Sequence, residues 1–228
     1  HPYTCMTRCF EYNGATIDLN KLALMDERHE AIYNEYDLRL QIQNHVLSSQ
    51  KARVAWRLGN ILSVDDIMYV DAAVNEVSVD FIIVRPNKGI LLLNVFEENL
   101  NECTLSEDKK KISVHGHLYQ SPIDLISLCQ SSIKDGIEEL LMSTIENSRN
   151  FSLIKKAVVF SENSIDEVKN FFEFQDNVFH FTFIFGKEII EDRNVSQNLY
   201  TTTGFLCDNK AFDDVVRRKL AKIISPSW

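Results

Sequence analysis

Two apolar runs of strand length, Val79 to Val84 and Ile90 to Leu93, flank Arg85-Pro86-Asn87-Lys88-Gly89, a turn-forming connector. Such runs around a Pro/Gly turn predict a β-hairpin, with strands over 77–84 and 90–96. Further strands are expected at Ile67 to Val70, more weakly at Lys111 to His115, and at Leu153 to Phe160 and Val178 to Phe185. In the last of these, Phe179, Phe181, Phe183 and Phe185 alternate, the pattern of one buried strand face. Helical periodicity appears over 17–47, where Leu22, Met25, His29, Ile32, Tyr33 and Tyr36 recur at steps of three and four without Gly or Pro. A second helix is expected over 49–62, with Val54, Trp56 and Leu58 among its apolar positions. Ser121-Pro122 opens a long one whose apolar face carries Ile123, Ile126, Leu128, Ile133, Ile137, Leu140 and Leu141, and a short one begins near Ser164. The order helix, three strands, helix, strand, helix, strand predicts an α/β fold in which helices flank a central mixed sheet.

Three regions follow: an N-terminal helical extension over 1–47, a core unit over 48–192, and a loop and C-terminal helix over 193–228. Within them, Glu97 to Lys110 reads as a solvated loop and Asn194 to Gly204 as a polar one. The 228 residues, 45% hydrophobic, suffice for one substantial core. No apolar run approaches the ~20 residues that span a bilayer, and the first residues lack the layout of a signal peptide. Cys5, Cys9, Cys103, Cys129 and Cys207 are odd in number and scattered, which suits reduced thiols and makes the cytoplasm the expected compartment. A net charge of −9 repels polyanions and disfavours strong DNA binding by this chain alone. The basic cluster Arg217-Arg218-Lys219 with Lys222 follows Asp213 and Asp214, acid before base as the dipole of a terminal helix favours.

Candidate chemistry concentrates on the hairpin. Asp80 heads its first strand, and fourteen residues on Asn94-Val95-Phe96 closes the second. This stretch resembles the nuclease-related domain (NERD) family of the restriction-endonuclease-like fold. The family pattern is roughly acidic-hydrophobic-Asp, four hydrophobics, a Pro/Gly turn, four hydrophobics, then Glu-hydrophobic-Lys. The resemblance implies that the two acids bind Mg²⁺, which polarises phosphate and activates water, while the lysine steadies the nucleophile. Here an amide, Asn94, stands for the carboxylate and a ring, Phe96, for the ammonium. His117-Leu-Tyr-Gln-Ser121-Pro122-Ile-Asp-Leu125 is similar to the family's Asn-Pro-hydrophobic-x-Gln motif, with Ser121 for Asn and Leu125 for Gln. Gln50-Lys51-Ala-Arg-Val54-Ala-Trp56-Arg-Leu58 falls where the family has a helix with an early Glu. Of the polar positions expected to carry chemistry, only Asp80 keeps its family type.

The resemblance therefore implies a degenerate nuclease that positions DNA or regulates a helicase domain in cis, in repair or in defence against foreign DNA. The tail Ile223-Ile224-Ser-Pro-Ser-Trp228 resembles the family's junction with a superfamily 1 helicase. No cofactor is expected in this chain. Mg²⁺ is the one to expect if activity survives, through Asp80 and a migrated acid from among Glu76, Glu97 and Glu98; Glu98 shares strand parity with Asn94 and Phe96 and is the first candidate. The alternatives are that active nuclease, or an interaction scaffold whose N-terminal helices dock a partner or a second copy. Elsewhere, His115-Gly-His117 and Cys5-Met-Thr-Arg-Cys9 lack the remaining ligands of a metal site. Gly186-Lys187 lacks the leading glycine and following Ser/Thr of a phosphate-binding loop. Interleaved phenylalanines over 171–185 suit a buried core better than base stacking.

Overall fold

The computed structural model describes residues 9–12, 15–18, 49–62, 66–85, 88–142, 154–176, 178–179, 181–204, 218, 220 and 222–226. The chain has a mixed α/β fold. The predicted hairpin forms β4 (Val77–Arg85) and β5 (Gly89–Phe96), and β3 (Ile67–Val74) lies antiparallel beside β4. β9 (Ile154–Phe160) runs parallel to β5, and β11 (Thr182–Phe185) parallel to β9. β10 (Val178–Phe179) closes that edge as the antiparallel partner of β11. A separate antiparallel sheet orders β6 (Cys103–Leu105), β7 (Lys111–Val114) and β8 (His117–Gln120).

Helices cover both faces of the main sheet. α1 (Ser49–Ile61) buries Val54, Ala55 and Leu58 against Phe81, Ile83, Leu91 and Leu93. α2 (Pro122–Met142) buries Ile123, Ile126, Cys129 and Ile133 on the other face, against Ile82, Val84, Ile90 and Leu92. Strands covered on both sides must be apolar at nearly every position, and β5 is buried from Gly89 to Val95. α3 (Ile165–Phe172) starts at Ser164, whose hydroxyl accepts the Glu167 backbone N–H, and ends at Glu173 in a left-handed conformation. Around it Phe96, Phe160, Phe172, Phe179 and Phe174 form a chain of tilted rings with successive centroids 5.3–6.3 Å apart.

Several expectations change. The helical arm over 17–47 falls almost wholly outside the described residues, but β1 (Cys9–Tyr12) and β2 (Ala15–Asp18) pair with each other, and β1 runs parallel to β3. At the other end β12 (Ile224–Pro226) pairs antiparallel with β3 at Ala72 to Val74, so part of the expected terminal junction is a strand of the core sheet. Pro226 donates nothing to a ladder, which suits the end of a short added strand. β3 reaches four residues beyond the expected Val70, turning into β4 through Asn75 and Glu76, both at positive φ (49° and 66°) as a two-residue hairpin turn demands.

The solvated loop after β5 contains a 3-10 turn at Leu100–Glu102 and then β6, anchored by buried Leu100, whose N–H donates to Asn163 Oδ1 at 2.9 Å. The single strand over 178–185 is two strands. Phe181 turns between them at φ 62° and is 88% exposed, so the buried residues are Thr182, Ile184 and Phe185 rather than every phenylalanine. The polar loop over 194–204 is helical: α4 (Glu188–Glu191) is followed by α5 (Arg193–Gln197) and α6 (Leu199–Thr203), with Leu199, Tyr200 and Thr203 buried. Periodicity is too short to read in five-residue helices. Gly186 has a packing role, because a Cβ there would lie 2.4 Å from Ile165 N and 2.7 Å from Asn163 O. Among the described residues no helix is long and apolar enough to cross a membrane.

Candidate functional site

The β3–β4 ladder is registered at Val70 with Phe81 and at Ala72 with Val79, which leaves Asp71 and Asp80 opposite each other between those pairs. At this point the inside-outside alternation reverses in both strands. Val70 and Phe81 face α1, whereas Ala72 and Val79 face α2. Asp71 carries the break at φ 51°, a left-handed conformation that costs a non-glycine residue free energy and recurs at functional positions. Here too β3 exchanges β1, which it pairs at 67–69, for β12, which it pairs at 72–74.

The kink aims the Asp80 carboxylate at the first turn of α1. Lys51 Nζ lies 2.9 Å from Asp80 Oδ1, and the Val95 backbone N–H donates to Asp80 Oδ2 at 2.7 Å. The Asp80 N–H donates to Asn94 Oδ1 at 2.9 Å. Two side chains thus replace backbone rungs beyond the last registered pair, Phe81 with Leu93. The pair is largely enclosed, with side-chain exposures of 27% for Lys51 and 16% for Asp80. Glu97 completes the group: its carboxylate accepts the Lys51 backbone N–H, supplying the negative charge that α1 lacks in its own first turn. Gln50 Nε2 donates to Glu162 Oε1 at 2.8 Å, so the carboxyl ends of β5 and β9 and the amino end of α1 meet at one edge of the sheet. Parallel strands commonly present their binding sites at that edge.

Burial raises the Asp80 pKa, and the neighbouring Lys51 and the Val95 N–H only partly offset it. Burial likewise raises Glu97, with Lys51 opposing and Asp80 adding to the rise. For Lys51 burial acts downward but is outweighed by the charge and hydrogen bond of Asp80, with Asp71 and Glu97 behind it, and the ammonium titrates above its ordinary value.

The sequence-selected residues divide sharply. Asp80, Asn94 and Lys51 come together, and Lys51 is a cation beside Asp80 delivered by a helix rather than by the hairpin. Phe96 is part of the aromatic core, 5.5 Å from the Phe160 ring, on the face away from α1. Leu125 is 37% exposed on α2, across the sheet from α1. Glu98 is exposed on the bend after β5, and Glu97 is the acid at the site: strand parity sets Glu97 with Val95 on the α1 face, and Glu98 with Asn94 and Phe96 on the other. His115 sits in the β7–β8 turn, 3.9 Å from Glu102, and His117 follows it. Cys5 and Cys9 yield no described side chain. Sequence reading missed Asp71, for which an aspartate interrupting an apolar strand was the available signal, and placed Glu97 behind Glu98 on strand parity.

At the far end of the hairpin the Asp66 carboxylate, fully buried, takes two hydrogen bonds from Arg85, through Nε and through Nη2 at 2.6 Å. The Tyr200 hydroxyl donates to it at 3.3 Å, and the guanidinium stacks 4.9 Å above the Tyr200 ring. This closed triad fastens α6 to the hairpin.

The donors at Asp80 do not fit Mg²⁺, which is held through one or two carboxylates with water and substrate phosphate. Both Asp80 oxygens are engaged, Asn94 Oδ1 accepts a backbone N–H, and Glu97 accepts another. Among the described residues no three His, Cys, Asp or Glu side chains converge to hold a metal ion. No protein-family model matches the chain, and neither does any curated protein or solved structure.

Proposed function

We propose that this chain is a degenerate nuclease-related module of restriction-endonuclease-like descent, in which the Lys51 ammonium takes the place beside Asp80 that a metal ion takes in an active nuclease. The observation that carries the reading is the Lys51–Asp80–Val95 arrangement, which occupies both carboxylate oxygens with fixed donors. An ion pair of this kind preserves the kinked hairpin without phosphoryl-transfer chemistry. A DNA-positioning or regulatory role beside a helicase-type motor rests on the family resemblance, and the −9 net charge assigns most of the DNA affinity to such a partner. The test is cleavage of plasmid and single-stranded DNA in Mg²⁺ or Mn²⁺, with no activity expected above that of Asp80→Ala.

One observation favours a second reading. Asp80, Glu97 and Lys51 supply two acids and an ammonium from three elements, as an active nuclease with migrated residues requires. Metal-dependent cleavage lost in both Asp80→Ala and Glu97→Gln selects that reading over the first.

A further inference from the structure

Away from the hairpin edge, the α2 face of the sheet holds a second polar group in apolar surroundings. Lys156, on β9, is 6% exposed. Its Nζ donates to Ser127 Oγ at 2.8 Å, and the Ser127 hydroxyl donates in turn to the Ile123 carbonyl at 2.9 Å. That chain leaves the Ser127 proton committed and two of the three ammonium donors available. No carboxylate among the described residues forms an ion pair with Lys156, and Asp124 acts on it only through its longer-range field. Buried charges in this condition are rare and costly.

Next to Lys156 opens a cavity of ≈ 580 Å³, lined among the described residues by Gln130, Ile154, Lys156, Val178, Phe181 and Phe183 together with Lys155. Its size is that of a small-molecule site, and its walls are mostly apolar with few polar groups. We propose that this cavity binds a small organic anion with an apolar body, a carboxylate on an alkyl chain, whose carboxylate is held by Lys156 Nζ. Such a ligand supplies the counter-charge that the fold leaves missing at Lys156, while its chain covers Ile154, Val178 and Phe183. Phe181, 88% exposed at the rim, then gains a surface to pack on.

Decanoate and decanol, which share an alkyl chain and differ in charge, are the probes, titrated by calorimetry into the full chain. The wild type is expected to bind decanoate at least about tenfold tighter than decanol, as expected from a charge-assisted hydrogen bond. Lys156→Met is expected to erase that preference while keeping decanol affinity. Absence of decanoate binding by the wild type, equal affinity for both probes, or a preference that survives in Lys156→Met each overturns the proposal. The wild-type comparison decides even if Lys156→Met does not fold.

Discussion

Asn94 accepts the backbone N–H of Asp80 at 2.9 Å, so the residue facing the aspartate across the hairpin restrains its main chain. Asn94 is 9% exposed, and Asn94→Leu leaves that N–H without its acceptor. A loss of about 1–3 kcal/mol in urea denaturation is expected, the cost of an unsatisfied buried donor. Asn94→Asp keeps an acceptor and loses less. Equal stability of Asn94→Leu and the wild type would show that the side chain is not what closes the ladder.

Lys51 is the strongest influence lowering a carboxyl pKa that burial raises. Lys51→Met is therefore expected to move the Asp80 titration further up, followed by carboxyl carbon NMR. The linkage follows in sign. With the folded Asp80 and Glu97 values raised, their contribution to stability is present at low pH and lost as pH rises through those values. Removing Lys51 enlarges this loss, so the variant trails the wild type more at neutral pH than near pH ~4, where carboxyls are ordinarily half protonated. Lys51 itself is raised, so its stabilisation persists at neutral pH and disappears on the alkaline side as the folded lysine titrates. An Asp80 titration that falls or stays put in Lys51→Met excludes the pair.

Arg85→Met removes both guanidinium hydrogen bonds from the fully buried Asp66 carboxylate, which the Tyr200 hydroxyl also bonds. Loss of one member of a buried pair costs about 3–5 kcal/mol, and the double variant Arg85→Met/Asp66→Leu is expected to recover much of it. Chemical denaturation of the three variants checks this, and a single-variant loss below about 1 kcal/mol is too small for a buried ion pair.

Cys129 is fully buried on the sheet-facing side of α2, and burial pushes its thiol up to about 12. A maleimide at neutral pH is expected to leave the peptide containing Cys129 unmodified in the native protein and to label it in urea, read by mass spectrometry. Reaction depends on the thiolate, so rapid native labelling is incompatible with this packing.

The hairpin, the two long helices and the apolar strands β5 and β9 were legible because each is a run long enough for its period to show. The same reasoning misjudged short elements: α5 and α6 span about one turn each, and β10 and β11 are divided by Phe181, a break in alternation that composition does not mark. Parity also failed as a guide to Glu98. It identifies which residues share a face, but the face that matters is the one α1 covers, and that choice is tertiary.

By itself the sequence determined that strands buried on both sides would form a sheet between helices, that Asp80 and Asn94 would face each other across one turn, and that Asn94 and Phe96 would be unable to supply a carboxylate and an ammonium there. Those properties follow from local periodicity and side-chain chemistry. Only the tertiary structure decided that Lys51 lies against Asp80, that Asp71 kinks the ladder beside it, and that the ends of the described chain join β3. Each of these depends on contacts between segments distant in sequence, which burial of the two helix faces selects and no local pattern encodes.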